Sequence, residues 1–409
     1  MNPIASPRRL DLDWVRIAAF GALILYHVGM YYVTWDFHIK SPQASHAIEP
    51  LMLLLNPWRL SLLFVVSGCA TAFMLHQPLA ASPGRIALAR SRFLLLPVVF
   101  GMLAIVPPQS WVEVMHHGYT GTYPQFWLRY LRGDHSFCHD GKCLRLPTWN
   151  HLWFIVYLWA YTMVVLVLAR ATRGLADGPA TSWLRGWRLA LLPWVLLALA
   201  RVLLAPRYPV THAFWGDLYD HAQYFAVFVV GFAIARDEAA WTWLAARRYV
   251  SLGVALASYT IYIAYVANFD AQHPPTDAAR VLARSNYAAL QWSAILAVLG
   301  WARHTLAGVR DTPARRYLTD AVFCYYIVHQ TAILLAAHCL GPLQLPPAIE
   351  AAVIIAITLA TCFASYEIVR RMRWVAPLFG VRRLKGGPVS PSQPSSARAS
   401  PGTAAASTP

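Results

Sequence analysis

Five residues able to do chemistry fall inside stretches that are otherwise apolar. The first stretch reads Asp13-Trp14-Val15-Arg16, with His27 eleven positions further on. At about 100° per helical residue, eleven steps return to within about 20° of the starting face. Arg16 and His27 therefore share one face, about 16 Å apart along the axis. Asp13 stands three residues before Arg16, at pairing distance on the same helix. The second stretch carries Arg59 after Asn56-Pro57-Trp58 and continues through Phe64-Val65-Val66-Ser67-Gly68. His151 opens a third stretch between Trp149 and Trp153, and His329 sits midway along a fourth, Tyr325-Tyr326-Ile327-Val328-His329-Gln330. An ionisable side chain in an apolar span is costly, which makes each a candidate site residue. Histidine can take and return a proton near neutral pH, and arginine binds phosphates or a developing oxyanion. Plainer uses stand beside these. Arg16 could snorkel to an interface, His151 could belong to an aromatic belt, and His329 could be a bonded core histidine. Ser67 and Gly68 could serve close helix packing.

The elements that must position these residues are membrane helices. The chain has 409 residues, 58% hydrophobic and only 13% charged, against about 45–50% and about 25% in soluble domains. With a mean hydropathy of +0.44, this excludes a water-soluble globular enzyme and global disorder. Ten apolar windows, near 15–33, 51–75, 93–108, 151–169, 189–205, 221–235, 250–267, 287–302, 321–338 and 348–369, are candidate transmembrane helices. The fold expected is all-α: a polytopic integral membrane protein of about ten helices with both termini cytoplasmic. The charges support that orientation. Of 34 Lys and Arg, 23 fall in the segments on the side of the N-terminus, 8 on the other side and 3 (Arg16, Arg59 and Arg201) inside spans, as the positive-inside rule requires. The net charge of +16 is thereby an orientation signal, and no nucleic-acid partner is expected. Arg201 is expected to snorkel near the outer end of its span, and Glu367 to pair locally with Arg370 and Arg371.

Residues 1–14 read as a cytoplasmic segment, 15–385 as the membrane domain and the Pro/Ser/Ala-rich 386–409 as a disordered cytoplasmic tail. The first span does not read as a cleaved signal peptide, because Arg16 interrupts its start and no small-residue cleavage site follows. No internal repeat is visible. Cys69, Cys324, Cys339 and Cys362 fall in or beside spans as small hydrophobes. For Cys138 and Cys143, in the largest outer loop with His135 and His139, a disulfide, free thiols and a metal site all remain open.

The chain resembles the membrane acyltransferase-3 family, and within it the glucan biosynthesis protein C group. The resemblance rests on Asp13-Trp-Val-Arg16 with His27, Arg59 followed by Phe64-Val-Val-Ser67-Gly68, His151-Leu-Trp-Phe154 and Tyr326-Ile-Val-His329. Tyr366-Glu367 and Pro377-Leu-Phe-Gly380 fit the same group. One position departs. Where the family often shows Arg-x-x-Arg before a proline, this chain has Arg90-Ser91-Arg92-Phe93 before Pro97, so Phe93 stands at the second arginine and Arg92 is offset by one.

What the resemblance implies is an O-acyltransferase of a bacterial inner membrane. It would move an acetyl or succinyl group from cytoplasmic acyl-CoA to a carbohydrate hydroxyl, such as that of a periplasmic glucan. Acyl-CoA is a donor substrate, and no bound cofactor or metal is expected. His27 is then the general base. Arg59 or His329 stabilises the oxyanion, and Arg16, Arg90 and Arg92 meet the CoA phosphates. Asp13, Ser67 and His151 are further substrate-binding candidates. The alternative is a transporter or flippase for a glycan or small acid, which inverted repeats would favour.

Overall fold

In lipid, a helix satisfies its own backbone within one segment, and the apolar windows fold accordingly. The computed structural model describes residues 9–75, 83–139, 141–168 and 182–381. The expected tail, 386–409, lies outside the described residues. Helix α1 covers Leu10–Tyr32. It starts ahead of the expected boundary at 15 and so takes Asp13 into its first turn. After an irregular stretch come α2 (Glu49–Leu55) and α3 (Arg59–Leu75). Helix α4 (Pro83–Phe100) runs through a π-helical turn at Gly101–Ile105 into α5 (Pro107–His116). Next are α6 (Tyr123–Leu131), α7 (Trp153–Val167), α8 (Trp187–Leu203), α9 (Leu218–Ile234) and α10 (Glu238–Ala246). Four helices complete the bundle: α11 (Arg248–Asn268), α12 (Asp277–Leu306), α13 (Pro313–Leu340) and α14 (Pro347–Val369). Between α6 and α7, β1 (Cys138–His139) and β2 (Lys142–Cys143) form a small antiparallel hairpin, and a disulfide joins Cys138 to Cys143. Of the three readings the sequence left open, the structure carries the disulfide.

The protein is an all-α polytopic membrane protein. Among the described residues, seven helical stretches are long and apolar enough to cross a bilayer, and the pair α9–α10, bent by 110°, would make an eighth. The other two expected windows are also helices. α8 is short for a span at 17 residues, and the 30-residue α12 opens on Asp277, Arg280 and Arg284, which lower its apolarity. Burial sorts the helices by position. The α13 stretch is 72% buried, against 17% for α11 and 22% for α14. Helix α13 is therefore the central post. The outer helices turn Leu256, Ile261, Leu359 and Phe363 outward, as lipid-facing surfaces do.

Helices α1 and α13 run parallel, because Arg16 bonds the Thr319 carbonyl at 2.9 Å while His27 meets His329 at 3.0 Å. Eleven steps on one helix match ten on the other. Helices α3 and α9 touch at their backbones. A Cβ on Gly68 would collide with the Phe228 carbonyl, and one on Gly231 with the Val65 carbonyl. Cys69 Sγ donates to the Gly231 carbonyl at 3.1 Å across the same seam. Two glycines thus set the depth of approach. Gly68→Val should cost about 1–3 kcal/mol or more, since backbone cannot step aside. Gly21→Ala, where nothing lies within 4 Å, should be near neutral. Thermal unfolding of both variants in detergent checks the pair, and equal melting temperatures would refute the seam.

Candidate active site

Three histidines that sequence spacing treats separately meet on α13. Tyr326 and His329 stand three residues apart on that helix, one above the other. His329 Nδ1 lies 2.8 Å from the Tyr326 carbonyl, and its Nε2 lies 3.0 Å from His27 Nδ1. The two rings are nearly parallel, with centroids 5.1 Å apart and planes within 8°. A carbonyl can only accept, so His329 carries its proton on Nδ1 and, as a neutral ring, offers a lone pair at Nε2. His27 must then donate from Nδ1, which leaves its own Nε2 as a lone pair. These tautomers are assigned from the partners. His329 is fully buried, whereas His27 is only part-buried, so the free nitrogen belongs to the ring with access. His151 completes the cluster, edge-on to His329 at 5.2 Å, with Nε2 3.1 Å from the Ile327 carbonyl. Tyr326 in turn donates its hydroxyl to the His151 carbonyl.

A second layer of amides fixes this arrangement. Gln109, on α5, donates to Thr331 Oγ1 at 2.7 Å and to His151 Nδ1 at 3.4 Å. Its carbonyl accepts from Asn150 at 3.0 Å and from Gln330 at 3.2 Å. Gln330 also donates to His38 Nε2 at 3.0 Å, which leaves His38 to donate from Nδ1 to Glu113 Oε2 at 2.5 Å. Every donor in this chain finds an acceptor. His38, Gln109, Glu113 and Gln330 are residues the sequence reading missed. The available signal was the polar Gln109 and Glu113 beyond Pro107-Pro108 in an apolar run.

Arg59 lies beside the cluster. Its guanidinium sits 3.3 Å from the Tyr26 ring centroid, next to His27 in sequence. Its Nη1 donates to the Asn56 carbonyl at 3.0 Å and to Asn56 Oδ1 at 2.6 Å. Arg59 and His27 therefore lie at one depth in the bundle. Arg59 Nε is buried and has no hydrogen-bond partner among the described residues. Nearby, His212 stacks on Trp153 at 4.0 Å and 14°. Burial holds its imidazole down at about 4, so it is neutral at pH 7. Asp220 presents a buried Oδ2 that lacks a hydrogen bond, 3.8 Å from His212 Nε2.

The remaining candidates occupy the Arg16 end. The Phe93 and Phe323 rings lie 5.3 Å apart, tilted by 34°, one turn beyond Thr319, so Arg90 stands about level with Arg16. Arg90 is half-buried and Arg92 is exposed. Two residues apart, they leave α4 on nearly opposite sides, and Phe93 fills the position between helices that a second arginine would have taken. Ser67 lies about 12 Å from Arg59 along α3, part-way toward the Arg16 end. It gives its carbonyl to Thr71 at 2.9 Å.

Asp13, expected to bind substrate and to pair with Arg16, has its carboxylate engaged by Arg315, a fully buried arginine that the sequence reading counted only as a loop charge. Arg315 also bonds Asp311 at 2.5 Å. Glu367 pairs with both Arg370 and Arg371 at 2.9 Å, as expected. Arg201 does not snorkel outward, for it donates to the Tyr219 hydroxyl at 2.7 Å and lies 3.3 Å from the Tyr287 ring centroid.

Arg315→Met strands two carboxylates, of which Asp13 is the better buried. Removing one partner of a buried pair costs about 3–5 kcal/mol; the partial exposure of Asp13 and Asp311 places this variant at or below the low end. Arg315→Met with Asp13→Asn should recover part of that loss. Chemical or thermal unfolding of the single and double variants measures it, and additive losses would exclude the coupling.

Residues 9–367 match the family profile Acyl_transf_3, described as an acyltransferase domain. No curated protein and no solved structure gives a match.

Proposed function

Because the chain belongs to the Acyl_transf_3 family of membrane acyltransferases, we propose that it transfers an acetyl or succinyl group from acyl-CoA to a hydroxyl of a carbohydrate, such as a periplasmic glucan. The observation that carries this reading is the directed pair of His329 and His27, which leaves one accessible imidazole lone pair inside the bundle.

A sugar hydroxyl is a weak nucleophile and needs a base in place as it attacks. His27 Nε2 takes the hydroxyl proton while the oxygen bonds to the thioester carbonyl carbon. The imidazolium so formed keeps its Nδ1–H on His329 Nε2, and that bond strengthens when the donor is charged. His329 thus positions the base and steadies its charged form, the part a carboxylate plays in a serine-protease triad. The unsatisfied Arg59 Nε–H serves the tetrahedral oxyanion. When the C–S bond breaks, His27 returns its proton to the CoA thiolate, giving the ester and free CoA thiol. The Tyr326 carbonyl holds His329 in its tautomer, with His151 packed edge-on against the ring.

The Arg16 end receives the donor. Arg16 and the level Arg90 meet the phosphates of CoA, with Arg92 at the rim, and the pantetheine arm covers the about 16 Å to His27 past Ser67. Asp13 acts here through Arg315 and not on substrate. The excess of basic residues on the N-terminal side supports reading this mouth as cytoplasmic in an inner membrane, with both termini on that side.

Transfer of labelled acyl groups from acetyl-CoA and succinyl-CoA to envelope glycans tests the reading. His27→Ala should lose about 10²–10⁴-fold in rate while remaining inserted and folded, and full activity in that variant would refute the base assignment. His329→Ala should lower kcat with little change in the KM for acyl-CoA and shift the pH profile. Arg16→Ala should raise that KM. Mass spectrometry of glycans from a deletion strain identifies acyl group and acceptor.

A further inference from the structure

Away from the histidines, a cavity of about 270 Å³ opens on the flank of the bundle, lined by Arg201, Arg280, Arg284, Tyr262, Tyr265, Tyr287 and Ala283. Its construction follows from helical spacing. Arg280, Ala283, Arg284 and Tyr287 stand at i, i+3, i+4 and i+7 on α12, on one face, and the small Ala283 leaves room between the arginines. Tyr262 and Tyr265 come from the facing helix α11, and Arg201 comes from the end of α8. Among the described residues, no carboxylate lines the cavity. Arg280 has an ion pair only with Asp277, which is 95% exposed and so contributes little. Arg284 has no hydrogen-bond or ion-pair partner among the described residues. Three cations around one small cavity repel one another unless an anion sits between them. Leu203, Ile261 and Leu282, one or two positions in sequence from lining residues, are exposed.

We propose that this cavity binds the phosphate of a lipid headgroup. The arginine forks match phosphate oxygens and the tyrosine hydroxyls supply further donors. The volume suits a headgroup, being below the about 300–1,000 Å³ of sites that enclose whole ligands. The exposed leucines and isoleucine carry the acyl chains. Charge and apolarity meet at the opening as they do at the edge of a bilayer. This site stands apart from the acyl-transfer reading and does not depend on it.

The test is native mass spectrometry of the full chain in a neutral maltoside detergent. It is titrated separately with dioctanoyl phosphatidylglycerol, dioctanoyl phosphatidylcholine and inorganic phosphate. One saturable phosphatidylglycerol adduct is expected, weaker with phosphatidylcholine and weaker still with phosphate. Arg284→Gln should weaken it about tenfold, and Arg280→Gln with Arg284→Gln further. Both positions face the cavity mouth and not the core, and an unchanged melting temperature verifies folding. A phosphatidylglycerol affinity unchanged in the double variant overturns the site. Inorganic phosphate binding as tightly as phosphatidylglycerol overturns the lipid assignment in favour of a soluble phosphate. Failure here leaves the acyl-transfer assay unaffected, so the two readings fall separately.

Discussion

The direction of one hydrogen bond governs the rest of the site. A neutral imidazole has one donor and one acceptor, so two of them in contact form a bond with a head and a tail. The Tyr326 carbonyl settles which end is which, because it accepts from His329 Nδ1. From that point the sequence of donors is forced: His329 accepts from His27, and His27 is left with its lone pair at Nε2. Helix α13 supplies both the carbonyl and the histidine, so the polarity of the bond is set by a rigid element and not by a loop. That same helix is the most buried post of the bundle, which keeps water from offering His329 another partner.

Burying so many polar groups requires that none be left over. The Gln109 amide donates twice and accepts twice, and Gln330 carries the network on to His38 and Glu113. A network in which each member is satisfied is rigid, and one missing partner would leave a buried group at a cost of about 1–3 kcal/mol. Against that background, Arg59 Nε and Asp220 Oδ2 are buried without a hydrogen-bond partner among the described residues. One belongs to a guanidinium and the other to a carboxyl group. An acceptor with hydroxyls to give and receive matches both, while a saturated hydrocarbon matches neither.

Much of this was legible in the sequence, and what was not has definite causes. The shared face of Arg16 and His27 follows from eleven helical steps, and both do turn to α13. The similar depth of His27 and Arg59 followed from counting inward from span ends. That His151 and His329 meet could not follow, because periodicity orders residues within a helix and says nothing of register between helices. His38 stands in an irregular stretch with no period to place it. Arg315 was hidden by its setting: a hydropathy window opens only at 321, whereas the helix begins at Pro313 and carries its charged first turns into the protein. The 287–302 window likewise opens ten residues after its 30-residue helix begins at Asp277, because the charged residues of the first turns dilute the apolar signal.

The parallel contact of α1 with α13 also bears on what kind of membrane protein this is. A transporter that exposes its site to each side in turn needs one group of helices to rock against another. Here α1 is bound to α13 at two levels about 16 Å apart, through Arg16 to the Thr319 carbonyl and through His27 to His329. The Asp13–Arg315 pair ties the same two helices once more at their beginnings. Rotation about either upper contact would break the lower ones, and each of these is charged or buried. A fixed line from Arg16 to His27 suits the proposed reaction, in which a long donor would reach through the protein to its acceptor. The two substrates can then enter from opposite ends while the helices stay in place.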